Sequence, residues 1–135
     1  MGISFLDDII GLPIIGRLLV HFVAAGGVAA GSLLNHTGVG WVLLAVVAIV
    51  WMTNLYNFMD GMDGLAGGMA LFGFYALAGV LSGHLPFAVT NDAIAAAGAF
   101  LLFNFHPARI FMGDAGSTLL GFLAACLGLV GRQLE

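Results

Sequence analysis

The sequence predicts an all-α protein, a polytopic transmembrane helical bundle of about five spans, and three observations carry that prediction. Hydrophobic residues make up 61% of the 135 positions and charged residues 7%, where soluble domains carry about a quarter charged. Mean hydropathy is +1.12. Between Arg17 and Asp60 there is no Asp, Glu, Lys or Arg at all, a length that holds two spans of about 20 residues.

Taken in order, Asp7 and Asp8 close a short apolar opening, and Pro13 can begin a helix at its first turn. Residues 13–30 read as the first span and 41–56 as the second. The glycines with Ser32, Asn35, His36 and Thr37 form the polar turn between them. Trp41 and the stretch from Trp51 to Tyr56 are expected near opposite interfaces, as belt aromatics. Asn57, Asp60 and Asp63 sit in a second polar island with Gly61 and Gly64. Residues 67–83 read as a third span, followed by a turn that Thr90, Asn91 and Asp92 close. Residues 93–105 make a short fourth span, and 117–130 the fifth. Gly27 with Gly31, Gly64 with Gly68, and Gly79 with Gly83 have the spacing that lets helices approach closely in lipid.

Counting crossings gives topology. Two spans separate Asp7 and Asp8 from Asp60 and Asp63, and two more separate those from Asp114. An even number of crossings returns the chain to its starting face, so all three acidic segments converge on one membrane surface, with His36, His84 and Asp92 on the other. Arg17 and Arg109 share the acidic face and Arg132 opposes them, which by the positive-inside rule turns that face to the cytoplasm.

Composition also excludes. A net charge of −4 resting on ten charged side chains offers no basic face for nucleic acid. The lone Cys126 lies in an apolar run and reads as a small core residue. The first residues lack the basic start of a cleavable signal peptide, so insertion is expected to rely on the internal spans.

Five carboxylates on one face with few cations beside them call for a positive partner. Hard oxygen ligands suit Mg²⁺, with Mn²⁺ an alternative; Mg²⁺ takes one or two carboxylates and completes its shell with water and phosphate. The histidines are rival ligands, but His36 and His84 face the wrong side for a zinc site. His106 is on the acidic side and could orient a phosphate.

The stretches Asn57-Phe58-Met59-Asp60-Gly61-Met62-Asp63-Gly64-Leu65-Ala66 and Phe103-Asn104-Phe105-His106-Pro107-Ala108-Arg109-Ile110-Phe111-Met112-Gly113-Asp114-Ala115-Gly116-Ser117, with Phe5-Leu6-Asp7-Asp8 and Arg17 before them, resemble the polyprenyl-phosphate N-acetylhexosamine-1-phosphate transferases. Three ordered motifs cover nearly the whole chain. The resemblance implies transfer of a sugar 1-phosphate from a UDP-N-acetylhexosamine to undecaprenyl phosphate, with release of UMP, at the cytoplasmic face of a bacterial plasma membrane. It implies Asp7 and Asp8 at the lipid phosphate, Asp114 on Mg²⁺, and Asn57, Asp60 and Asp63 in the nucleotide-sugar site. Asp7, Asp8 and Asp60 are the expected catalytic acids. Asn104 and Phe111 match positions that hold the uridine, Arg17 belongs to the first motif, and His106 stands where members vary and bears on the sugar. Elementary chemistry agrees: Phe111 offers a face for a base, Asn104 an amide, Asp114 a hard anionic oxygen. Asp63 could alternatively cap the helix that follows it.

Members of that family carry further spans on both sides and a later histidine motif that this sequence lacks. The expectation is one integral-membrane segment, residues 1–135, forming the central part of a larger transferase in contact with membrane lipid and able to homodimerise. Two rival readings remain: an ion- or proton-coupled transporter using the acids within broken helices, and an intramembrane aspartyl protease using Asp60 and Asp114.

Overall fold

The computed structural model describes residues 13–34, 37–84 and 86–134. They form five helices: α1 (Ile14–Leu33), α2 (Val39–Met59), α3 (Leu65–Val80), α4 (Pro86–Asn104) and α5 (Gly113–Leu134). No strand occurs among the described residues. Four helices are long and apolar enough to cross a membrane, and α3, with 16 residues, is the shorter exception. At 1.5 Å per residue it reaches about 24 Å, somewhat less than a hydrocarbon core of about 30 Å.

The helices run alternately up and down. α5 packs against α2, α4 against α3, and α1 against α2. The starts of α1, α3 and α5 therefore share one end of the bundle with the ends of α2 and α4, as the even number of crossings requires. His84 and Asp92 lie toward the other end. There the Arg132 guanidinium sits 4.1 Å from the centre of the Trp41 ring.

Small residues build the interior. Tyr56 and Phe74 are buried among Ala70, Ala93, Ala97, Ala124 and Leu127, while Ala25, Ile49 and Val50 join α1 to α2. Alanine at these positions shortens the distance between helix axes and gains dispersion contacts where lipid offers no hydrophobic drive. Large apolar side chains such as Val23, Leu43, Trp51, Phe72 and Leu102 point outward. Such a surface would be an aggregation liability in water and is ordinary against acyl chains.

Four expectations are corrected here. The short span is α3, and the fourth helix starts at Pro86 instead of residue 93. Thr90, Asn91 and Asp92 resemble a turn, yet the Thr90 hydroxyl donates to the Phe87 carbonyl at 2.7 Å within the helix, and Asn91 and Asp92 point outward. Tyr56 is not a belt aromatic, being 2% exposed in the core, and Trp51 lies about 12 Å before the end of α2, deep in the helix. Of the paired glycines only Gly64 is closely approached, its Cβ position lying 3.4 Å from Phe105 Cδ2. A Cβ at Gly27, Gly31, Gly68, Gly79 or Gly83 would meet nothing within 4 Å. Spacing by four puts two glycines on one face without saying whether that face meets a neighbour. A closer approach is at Gly121, where a Cβ would fall 2.5 Å from the Met52 carbonyl oxygen and 2.8 Å from Thr53 Cα.

Candidate active site

Three short segments meet at the end of the bundle that α2 closes. The chain leaves α2 at Asp60 and turns back at Gly64, whose φ of +70° only glycine adopts without cost, to begin α3. It leaves α4 at Asn104, crosses residues 105–112, and enters α5 through Gly113, again left-handed at φ +66°. Pro13 and Arg17 bring the first turn of α1 alongside.

Asp60 is buried, and each of its oxygens accepts a backbone N–H from the segment before α5: Oδ1 from Met112 at 3.0 Å and Oδ2 from Gly113 at 2.9 Å. One turn earlier on α2, Asn57 Oδ1 lies 2.9 Å from Ser117 Oγ, which also lies 2.8 Å from the Gly113 carbonyl. The hydroxyl has one proton to share between those two acceptors. The Thr118 hydroxyl donates to the Asp114 carbonyl at 2.5 Å. Asn104 is fully buried; its Oδ1 accepts from Gly64 N at 3.0 Å and its Nδ2 donates to the Ile110 carbonyl at 2.8 Å. One amide thus ties both turns together.

Asp63 does not cap α3, whose N-cap is Gly64 without a side-chain bond. Its Oδ2 accepts from Ala108 N at 3.2 Å and pairs with His106 Nδ1 at 2.8 Å. The Ala108 bond, then the His106 bond, hold its carboxyl below the ordinary value of 3.8. His106 is therefore directed to Asp63, with its ring largely in the open. Asp114 lies in the first turn of α5 and forms an ion pair with Arg17, 97 residues away, both side chains about one-fifth exposed. Phe111, three residues before Asp114 in the chain, is 52% exposed.

The structure thus brings together Arg17, Asn57, Asp60, Asp63, Asn104, His106 and Asp114, with Phe111 in the segment that leads into Asp114. Asp7 and Asp8 lie outside the described residues. Sequence reasoning passed over Ser117 and Thr118 as site residues. Their signal was a hydroxyl four residues after Gly113 and after Asp114, the spacing at which Ser and Thr bond back along a helix. Asp60, Asp63 and Asp114 each have a local partner, so their mutual repulsion does not by itself call for a metal.

Among the described residues no three His, Cys, Asp or Glu side chains cluster to hold an ion. That excludes a closed, zinc-type cage built from them and suits a hard cation that takes few carboxylates. Asp114 is a partly exposed carboxylate that could hold such a cation, in competition with the Arg17 guanidinium it pairs with.

A helical bundle with four helices long and apolar enough to cross a membrane, and with Asp60, Asp63 and Asp114 gathered at one end, defines a multi-pass membrane protein. The model of glycosyl transferase family 4 matches residues 1–132, and the chain belongs to that family. A probable undecaprenyl-phosphate N-acetylglucosaminyl 1-phosphate transferase of Bacillus subtilis is 44% identical over 68% of this chain and 27% of its own length. A phospho-N-acetylmuramoyl-pentapeptide-transferase of Moorella thermoacetica is 41% identical over 87% and 42%. A decaprenyl-phosphate N-acetylglucosaminephosphotransferase of Mycobacterium tuberculosis is 35% identical over 93% and 37%. The chain thus spans about a quarter to two-fifths of the length of these relatives. All three are transferases by name, and none supports the transporter reading.

Proposed function

We propose that this chain carries the reaction centre of a polyprenyl-phosphate N-acetylhexosamine-1-phosphate transferase, moving a sugar 1-phosphate from a UDP-N-acetylhexosamine to undecaprenyl phosphate. The observation that carries the reading is the meeting of the motifs: Arg17 on Asp114, and Asp60 on the backbone leading into Asp114. An oxygen of the lipid phosphate attacks the β-phosphorus of the nucleotide sugar. The new P–O bond forms as the bond from that phosphorus to the bridging oxygen breaks, and UMP leaves with the bridging oxygen. Such a transfer needs positioning and charge neutralisation more than covalent chemistry.

Asp114 would hold Mg²⁺, which when bound supplies neutralising charge to the diphosphate. Arg17, beside it, adds a fixed positive charge for a phosphate oxygen. The open ring of Phe111 offers a stacking face for uracil. Asn104, with both amide atoms engaged, serves the uridine through the segment it holds. One of Asp7 and Asp8 would take the remaining proton of the lipid phosphate, whose second ionisation lies near pH 6.

Membranes containing the protein should release UMP from UDP-GlcNAc only when both undecaprenyl phosphate and Mg²⁺ are added. Initial-rate lines should intersect, as they do when both substrates bind together. UMP release without the lipid would overturn direct attack in favour of a covalent phospho-sugar enzyme, and no lipid-dependent UMP at all would overturn the assignment. We place the acidic end of the bundle at the cytoplasmic face of a bacterial plasma membrane, on the distribution of Arg17, Arg109 and Arg132. In a Cys126→Ala background, single cysteines at Asp8, Asp63 and Gly113 should resist an impermeant thiol reagent applied to intact cells, while one at His84 reacts; labelling of any of the three from outside reverses the topology.

A further inference from the structure

We infer that Asp60 is a positioning residue: its carboxylate neither takes a proton in the reaction nor ligates the metal, but sets the place of Asp114 by gripping the two backbone N–H groups that precede it. The inference rests on the reading of Asp114 as the metal carboxylate. It follows from three features of the site. Asp60 is 7% exposed at the last turn of α2, and its two oxygens are matched one to one with the N–H groups of Met112 and Gly113. Those donors belong to consecutive residues, so a flat group with two acceptors at fixed spacing fits them, and no neutral side chain of the same size does. Asparagine replaces one acceptor oxygen with an NH₂ that carries two donors, and that NH₂ would face an N–H. Finally, the gripped residues lie immediately before Asp114, and Gly113 is held from its carbonyl side as well, by Ser117 Oγ, itself 2.9 Å from Asn57. The last turns of α2 thereby fix the direction in which α5 begins, and with it the Asp114 side chain that meets Arg17.

A group that holds a ligand from outside the coordination shell leaves a recognisable signature. Removing such a partner typically weakens metal binding about 10- to 100-fold, while removing the ligand itself abolishes it. With the chain in lipid nanodiscs, Mn²⁺ titration followed by electron paramagnetic resonance should show binding to the wild type. Asp60→Asn should bind about 10- to 100-fold more weakly, and Asp114→Asn not measurably. Hydrogen exchange supplies the readout that does not involve metal. The Met112 and Gly113 amides should be slow in the wild type, and at least tenfold faster in Asp60→Asn, with the amides of α1 unchanged.

Wild-type Mn²⁺ affinity in Asp60→Asn would overturn the inference, and so would loss of binding as complete as in Asp114→Asn, which would make Asp60 a ligand. Should Asp60→Asn fail to fold, the wild type alone decides: Met112 and Gly113 amides exchanging as fast as that of His106 would mean that the grip does not exist. A wild-type chain that binds no Mn²⁺ would refute the metal reading of Asp114. The exchange data would then decide separately whether Asp60 holds the backbone.

Discussion

Replacing Asp114 by Asn should cut lipid-dependent UMP release roughly a thousandfold at saturating Mg²⁺, with the melting temperature of the bundle little changed. The size follows from what is lost. A carboxylate that helps hold a divalent cation against a diphosphate contributes several kcal/mol to the barrier, and each 1.36 kcal/mol is about tenfold in rate. Asparagine keeps the shape and its oxygen but not the charge. The fold should tolerate the change, because Asp114 holds α5 in place through its backbone, whose carbonyl still accepts from Thr118. The Arg17 guanidinium, with only about one-fifth of its side chain exposed, keeps a hydrogen-bond acceptor in the asparagine oxygen and so is not left unpartnered. The assay is initial-rate UMP release in parallel with a thermal melt. Near-normal turnover would exclude Asp114 as an essential ligand, and a collapse in melting temperature would show a structural residue instead.

Gly121→Ala should be the most damaging single-methyl change in the bundle, costing about 1–3 kcal/mol as overpacking does elsewhere. The added carbon would lie 2.5 Å from the Met52 carbonyl oxygen and 2.8 Å from Thr53 Cα. These are main-chain atoms, unable to rotate aside as a side chain would, so α2 and α5 must move apart. Thr53 is 1% exposed and its hydroxyl already bonds to the Ile49 carbonyl at 2.8 Å, which leaves no slack in α2 at that level. Gly68→Ala, with nothing within 4 Å of the new carbon, is the matched control and should be neutral or slightly stabilising. Comparing their thermal melts in one detergent checks the claim, and equal values would mean the contact is looser than its geometry. Activity should fall with stability at Gly121, since α2 and α5 carry the two halves of the site.

Much of this was readable beforehand. Long uncharged intervals between polar islands give five helices, and parity of crossings alone gathers Arg17, Asp60, Asp63 and Asp114 at one end. What could not be read was the use to which each polar group is put. Asn104 and Asp60 have the same appearance in a sequence whether they meet a ligand or a backbone amide, and burial, which decides, is a tertiary fact. Thr90 to Asp92 read as a turn because hydroxyl and amide side chains favour turns, but a helix near the membrane surface can turn Asn91 and Asp92 outward while Thr90 bonds to its own helix. The glycine pairs misled for a related reason: periodicity identifies a face, and only packing identifies its neighbour.

The grip of Asp60 on Met112 and Gly113 has a consequence for how the gene can drift. Both partners are main-chain groups, which every residue except proline supplies alike, so the codon for Met112 is free to wander through many side chains without touching the bond. The codon for Gly113 is confined by its left-handed backbone, and that for Asp60 by the need for two acceptors. Neighbouring positions in one short motif are thus constrained unequally, Gly113 and Asp60 by the bond itself and Met112 only by the packing of its side chain beside Gly116.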